Sequence, residues 1–170
     1  ALISTRSGDI SKAVRELEFL SSSFPRNALV RYQLASAYLL SANNASEVNA
    51  RNATESAENR LSDAVKLDPK LEPAVLLFSE LKIRKGSAAA AVDPLKELIK
   101  ERPQNTQAYY LLATAYLAQR QNAEAASTYQ QMVTLFPKDP QPSFLLGNVL
   151  LAQGQQADAR KAFERAAVIS

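Results

Sequence analysis

Four prolines recur along the 170-residue chain at a nearly constant spacing, and this repeat constrains the fold more than any other feature. Pro25, Pro69, Pro103 and Pro137 are 44, 34 and 34 residues apart. An alanine lies twelve residues before each proline, and a large side chain lies eight before: Ala13, Ala57, Ala91 and Ala125, then Leu17, Leu61, Leu95 and Tyr129. A period of this length is typical of arrays in which each unit packs against its neighbours.

Each unit has the pattern of a helical hairpin. The segments "YQLASAYL" (32–39), "YYLLATAYL" (109–117) and "FLLGNVLL" (144–151) align, and small residues fall at one shared position: Ala35, Ser79, Ala113 and Gly147. Small residues let two helices approach closely, while a proline ends the second helix. Alanine is abundant, the chain has only four glycines, and strand-like alternation is nearly absent. The sequence therefore predicts an all-α fold.

The spacing resembles the tetratricopeptide repeat (TPR) pattern W-x2-L-G-x2-Y…A-x3-F…P over the whole chain. With the recurring proline at repeat position 32, we divide residues 1–170 into a single array of five repeats: 1–27 (partial), 28–71 (with a ten-residue insertion), 72–105, 106–139 and 140–170. The tryptophan of position 4 is replaced, by Arg31, Val75, Tyr109 and Ser143. The resemblance implies a right-handed superhelix of antiparallel helix pairs, a TPR solenoid, whose concave groove is lined by the first helix of each pair (helix A).

The insertion falls between Ala42 and Arg51 and joins helix A to helix B of the second repeat. We predict a longer helix B that begins after an N-cap at Ser46 and runs to about Leu67. Few of its added residues are apolar, so the extension is expected to project into solvent. A strut is the favoured interpretation, and a contact arm for a partner is the alternative.

Two other local features bear on the helices. Pro94 falls inside the expected helix B of the third repeat, which predicts a kink near Ala90; the alternative is a helix that starts at Pro94 with Asp93 as its cap. Glycines fall at position 15 in three repeats, where helix A must end: Gly8, Gly86 and Gly154.

Composition argues against several classes of function. The chain lacks cysteine and histidine, which removes thiolate metal sites and the commonest general base. It contains no phosphate-binding loop or catalytic motif, so we predict no enzyme activity and no cofactor. A net charge of +3 without a basic tract does not indicate nucleic-acid binding. The longest uncharged stretch, residues 103–119, is too polar for a membrane span.

The family resemblance implies which side chains would meet a bound peptide. Repeat position 5 supplies Tyr32, Leu76, Tyr110 and Phe144; position 9 supplies Ser36, Glu80, Thr114 and Asn148; and position 13 supplies Arg84. These side chains are mostly apolar or aromatic, unlike the basic set of TPR domains that clamp chaperone C-termini. We therefore expect a protein partner that presents an apolar or aromatic segment, or an amphipathic helix. At positions 6 and 12, packing is favoured over ligand contact: Gln33, Leu77, Leu111 and Leu145, then Leu39, Ile83, Leu117 and Leu151.

Two alternatives stay open: a structural spacer, and a docking or regulatory module of an enzyme whose catalytic domain lies outside these residues. We expect the chain to be a fragment of a longer protein, with uncapped ends that favour dimerisation. The stretch "FPKDPQPSFLLGNVLLAQGQQADARKAFERA" (136–166) also resembles TPR lipoproteins associated with bacterial exosortase and exopolysaccharide systems. That resemblance would place the protein in the bacterial cell envelope, with the cytoplasm as the other location.

Overall fold

The computed structural model describes residues 7–43 and 45–169, and within those ranges the chain forms helices and turns but no strands. The helices are α1 (Ser7–Ser23), α2 (Ala28–Ala42), α3 (Glu47–Leu67), α4 (Glu72–Arg84), α5 (Ala89–Glu101), α6 (Thr106–Ala118), α7 (Asn122–Leu135), α8 (Pro140–Ala152) and α9 (Gln156–Ile169). The predicted all-α fold of helix pairs is confirmed. The chain divides into two compact units, one ending at Phe78 and the other beginning at Ser79.

Side-chain caps fix where three of the A helices begin. The side-chain oxygens of Asn27 and Asn105 accept hydrogen bonds of 3.0 Å from the N–H groups of Val30 and Ala108. Asp139 plays the same part for α8, accepting from the N–H of Gln141 at 2.9 Å. Such caps satisfy backbone donors that the first turn of a helix leaves without partners. Each A helix therefore starts directly after an inter-repeat turn.

Glycine ends two of the A helices, as predicted. Gly86 and Gly154 adopt φ angles of +77° and +76°, and the N–H that follows each glycine bonds back into the last helical turn. This is the left-handed C-terminal cap that glycine adopts without steric cost. The prediction was wrong for Gly8, which lies in the first turn of α1, where no left-handed residue is needed.

In the first unit, α1 and α2 share an apolar core. Leu17 of α1 packs with Leu34 and Ala37 of α2. Polar contacts join the same elements, because the hydroxyl of Tyr38 donates to Glu18 Oε1 at 2.6 Å. Burial and the neighbouring Glu18 carboxylate raise the pKa of Tyr38 to about 12.

Arg31 replaces the tryptophan of position 4 in this unit. Its guanidinium donates to Asp63 Oδ2 of α3 at 2.9 Å and to the carbonyl oxygen of Pro25 at 2.7 and 3.0 Å. The side chain therefore ties the α1–α2 turn to helix α3 with polar bonds, at a position where the family uses an aromatic ring.

In the second unit, one core runs through α6, α7, α8 and α9. Its buried members are Tyr109, Ala113, Tyr129, Met132, Val133, Leu146, Val149 and Ala162. The small residues at position 8 have the predicted role. A Cβ atom on Gly147 would lie 2.5 Å from the Phe163 ring, so the phenylalanine occupies the space that glycine leaves. Helices α8 and α9 can approach closely only because position 147 has no side chain.

The inserted segment extends α3, whose bounds match the predicted helix from Ser46 to Leu67. Ser46 is the N-cap residue by backbone conformation, but its side chain makes no capping hydrogen bond. The first fully buried residue of the helix is Ala57, and Arg51 and Glu47 form an exposed ion pair of 3.8 Å. The extension therefore presents a largely solvated surface, while the question of strut or contact arm stays open.

Helix α5 runs through Pro94. It begins at Ala89, so the alternative start at Pro94, with Asp93 as the cap, is wrong. The N–H groups of Ala90 and Ala91 bond to carbonyls only three residues back, which tightens the first turn. Proline has no N–H to donate, so the helical ladder is interrupted at the carbonyl of Ala90. The bend of the helix axis stays a prediction.

Candidate functional site

The predicted binding residues of the first unit lie on α2 and on the first part of α4. Tyr32 and Ser36 are half-buried, and the Ser36 hydroxyl donates to the carbonyl oxygen of Tyr32 at 3.0 Å. Leu76 is only 9% exposed. Leu76 thus offers little surface to a partner, whereas Tyr32 keeps part of its ring accessible. Their role in binding stays a prediction.

The second unit carries the other predicted residues. Glu80 and Arg84 lie one turn apart on α4, and both side chains are exposed. They have opposite charges, so this part of the surface presents no single sign of charge to a ligand. A partner that recognises it would need a neutral or mixed-charge segment.

On α6, Tyr110 is half-buried and its hydroxyl donates to Asp139 Oδ2 at 3.2 Å. Burial and the charge of Asp139 raise the pKa of Tyr110 well above its usual value. Because Asp139 also caps α8, Tyr110 helps to fix one A helix against the next. The exposed Thr114 donates its hydroxyl to the carbonyl oxygen of Tyr110 at 2.8 Å, which leaves the oxygen of Thr114 able to accept.

On α8, the exposed residues form an apolar stripe with a polar centre. Phe144 is 52% exposed, Leu151 is also 52% exposed, and Asn148 lies exposed between them. The spacing of four and three residues puts the three side chains on the same side of the helix. A stripe of this length suits the apolar face of a peptide rather than a single small molecule.

The side chains at position 12 were expected to pack rather than to meet a ligand. In the structure, these four side chains differ in how much of their surface is exposed. Leu39 and Ile83 are half-buried, whereas Leu117 and Leu151 are 36% and 52% exposed. For Leu151 the packing expectation was wrong, because about half of its surface stays exposed, whereas Leu117 is mostly covered and only partly accessible. We use the name A-face stripe for Thr114 and Leu117 of α6 together with Phe144, Asn148 and Leu151 of α8.

Phe144 is the largest exposed side chain of the A-face stripe. Its ring packs on that of Phe163 with centroids 5.7 Å apart and planes inclined at 57°. Beside the two rings lies an open cavity of about 560 Å³, lined also by Pro140, Gln141, Ala166 and Ala167. Phe163 therefore holds Phe144 in place and leaves one face of the ring accessible.

The described residues contain no cluster of three or more acidic, histidine or cysteine side chains that could hold a metal ion. Over residues 7–43 and 45–169, no helix combines the length and hydropathy that a membrane span requires. What the site does offer is an exposed apolar strip with hydroxyl and amide groups set into it. Such an arrangement is suited to binding.

Comparisons with known proteins identify the repeat. The tetratricopeptide repeat model matches residues 76–140 and 112–170, which together make up more than half of the chain. No curated protein has a matching sequence.

Solved structures of MamA share the fold. One crystal structure is 20% identical, covers 95% of this chain and 89% of that chain, and has a TM-score of 0.76. A second is 20% identical, with coverages of 95% and 83% and a TM-score of 0.77. The segment from residue 41 of MamA from Desulfovibrio magneticus RS-1 is 19% identical, with coverages of 95% and 86% and a TM-score of 0.72. These likenesses establish the fold and leave the exopolysaccharide-system resemblance and the location as predictions.

Proposed function

Because the chain belongs to the tetratricopeptide repeat family, whose fold generally mediates protein–protein interaction, we propose that it is a binding module for an apolar or aromatic protein segment. The partner would lie along the A-face stripe, with Phe144 and Leu151 as apolar anchors. Thr114 and Asn148 would bond to the backbone or polar side chains of the partner. Glu80 and Arg84, in the same unit, are proposed as further contacts, and Tyr32 and Ser36 as a separate contact surface of the first unit.

The single observation that carries this proposal is the exposure of Phe144 and Leu151 on one side of α8. Large apolar side chains that are exposed together mark interaction sites more often than isolated ones do. Aromatic anchors beside polar groups are the composition expected of a binding hot spot. A peptide that covered both residues would remove their exposed apolar area from water, which is favourable.

A non-enzymatic role fits the electrostatics of the described residues. The tyrosine and lysine pKa values that the structure perturbs are raised, away from neutral pH; they belong to Tyr38, Lys96, Tyr109, Tyr110 and Tyr129. A general acid or base works best with a pKa near the operating pH, and these shifts run in the opposite direction. The proposal is accordingly of a scaffold without a cofactor.

The test selects binding peptides from a displayed random library with the full chain and compares their affinities for variants. We expect Phe144→Ser combined with Leu151→Ser to weaken binding about 30-fold or more, the usual loss when hot-spot anchors are removed. Val168→Ser is the matched control, because Val168 is 87% exposed on α9 and lies outside the A-face stripe. Circular dichroism checks that all variants are folded.

Equal affinities of the double variant and the control would exclude the A-face stripe as the site. Failure to select any peptide would favour the spacer alternative. A cell-envelope location is a separate proposal, tested by fractionation of the native cells. Dimerisation through the repeat ends is another, tested by sedimentation of the full chain at several concentrations.

A further inference from the structure

A second surface of this chain lies between the B helices, outside the A-face stripe. Helices α7 and α9 flank an open cleft of about 460 Å³ whose floor is α8, and we call it the α7–α9 cleft. Its lining residues include Val133, Ser143, Leu146, Leu150, Ala162 and Arg165. All of them belong to the second compact unit.

The cleft lies where the fifth repeat lacks the aromatic rings of the fourth at two repeat positions. At position 4, the fourth repeat carries Tyr109 and the fifth carries Ser143; at position 11, they carry Tyr116 and Leu150. Tyr109 and Tyr116 are 4% and 8% exposed, so both phenol rings are packed inside the fourth repeat. The fifth repeat has no ring at either position, and the cleft opens where rings would lie.

The floor of the cleft contains a buried polar atom without a partner. Ser143 is 1% exposed, and its Oγ makes no hydrogen bond within the protein. A buried hydroxyl without a partner is destabilising unless something else supplies the bond. Beside it, Leu146 and Ala162 are buried and apolar. The cleft thus offers apolar side chains that would suit the ring of a phenol and one hydroxyl that would suit its OH group.

The charges at the rim argue against an anionic ligand. Lys161 Nζ already pairs with Asp158 Oδ1 at 3.0 Å, and a terminal nitrogen of Arg165 donates to the carbonyl oxygen of Val133 at 3.0 Å. The cations are therefore engaged within the protein. One repeat earlier, Lys96 of α5 lies 5.8 Å from the centre of the Tyr116 ring, so the equivalent groove there accommodates a cation beside a phenol.

We propose that the α7–α9 cleft binds a tyrosine side chain of a partner protein, in the space that Tyr109 and Tyr116 occupy in the repeat before it. The ring would lie on Leu146, Leu150 and Ala162, and its hydroxyl would pair with Ser143 Oγ. Cavities of this size fall within the range of ligand sites. This second surface is independent of binding at the A-face stripe.

The experiment titrates the full chain with N-acetyl-tyrosinamide and follows the amide signals of residues 126–165 by NMR. We expect saturable shifts confined to the cleft. N-acetyl-phenylalaninamide should bind about three- to tenfold more weakly, because it lacks the hydroxyl that one hydrogen bond would use. N-acetyl-leucinamide should produce no saturable shift. Failure of the tyrosine probe to saturate the cleft signals would overturn the proposal.

Two substitutions at Ser143 test whether the probe binds at the cleft or elsewhere on the surface. Ser143→Tyr restores the residue type of the fourth repeat and should abolish probe binding by filling the cleft from within. Ser143→Ala keeps the shape and should remove the preference for tyrosine over phenylalanine. Ser143→Ala only deletes a buried, unpaired hydroxyl, so this variant is expected to fold. It therefore still tests the proposal if the tyrosine of Ser143→Tyr does not fit and that variant fails to fold.

Val168→Ser is the matched control, since Val168 is 87% exposed on α9 and does not line the cleft, so the substitution should leave probe binding at the cleft unaltered. A tyrosine preference that persisted in Ser143→Ala would refute the assigned hydrogen bond. Unchanged binding by a folded Ser143→Tyr would refute the cleft as the site.

Discussion

Arg120 occupies a backbone conformation that glycine adopts at the equivalent position of other repeats. It has φ +60°, against +77° for Gly86 and +76° for Gly154. All three end an A helix with the same cap: in the fourth repeat, the N–H of Gln121 bonds to the carbonyl oxygen of Tyr116 at 2.9 Å. Arg120 therefore adopts the left-handed conformation because the turn requires it, although its Cβ makes that conformation unfavourable.

Replacing Arg120 by glycine should stabilise the protein. The left-handed conformation costs a residue with a Cβ about 1–2 kcal/mol, whereas glycine adopts it freely. Glycine also gains conformational freedom in the unfolded chain, which offsets about 0.5–1 kcal/mol of that gain. We expect Arg120→Gly to increase the free energy of unfolding by about 0.5–1 kcal/mol. For a chain of this length, that corresponds to a rise in Tm of about 1–4 °C.

The assay is urea unfolding followed by far-UV circular dichroism, with the midpoint compared at an unchanged slope. Arg120→Ala is the matched control, because it removes the same side chain but keeps the Cβ, so it should give no gain. The reverse change, Gly154→Ala, should lower stability by about 1 kcal/mol. A lower midpoint for Arg120→Gly, or an equal gain for Arg120→Ala, would show that left-handed strain at this turn is not what limits stability.

Two further predictions concern packing and pH. Gly147→Ala should destabilise the second unit by about 1–3 kcal/mol in urea unfolding, because the new Cβ would lie 2.5 Å from the Phe163 ring. Adding Phe163→Leu to the same chain should recover part of this loss. A Gly147→Ala variant as stable as the original chain would contradict the close approach of α8 and α9. The pKa of Tyr38 is raised from 10.0 to about 12, so the stabilisation by its protonated hydroxyl is complete below pH 10 and is lost as the pH rises to 12. Glu18→Gln should lower the pKa of Tyr38 measured by ultraviolet titration. An unchanged pKa in this variant would rule out the influence of Glu18.

The repeat made most of the fold predictable, because its residue types are tied to backbone and packing requirements. Alanine at position 20 is buried in the middle repeats, as at Ala57, Ala91 and Ala125, since a larger side chain would separate the paired helices. The extended helix α3 was predictable for a similar reason. The segment is rich in good helix formers such as Ala, Glu and Arg, and it leads without a proline or glycine into the buried part of helix B.

The candidate site was less predictable, since exposure depends on which neighbour covers a side chain. Leu39 and Leu151 occupy the same repeat position and are the same residue type, yet one is half-buried and the other is 52% exposed. The sequence contains no signal that distinguishes them. The left-handed conformation of Arg120 was also not predictable from the residue itself, because the turn requires that conformation and the arginine side chain does not favour it. A glycine at that position in other repeats was the only available sign.

Position 4 shows how departures from the family pattern change the local packing. Arg31 spans the space of the missing tryptophan with polar bonds to Asp63 and Pro25. Tyr109 fills it with a ring that packs edge-on against Phe136, at a centroid distance of 6.1 Å. Ser143 fills none of it and leaves a cleft with a buried hydroxyl. The shared repeat fold accommodates arginine, tyrosine and serine at this position, because neighbouring side chains bridge the space, help to fill it or leave it open. Only the space left open at Ser143 has room for a side chain of a partner.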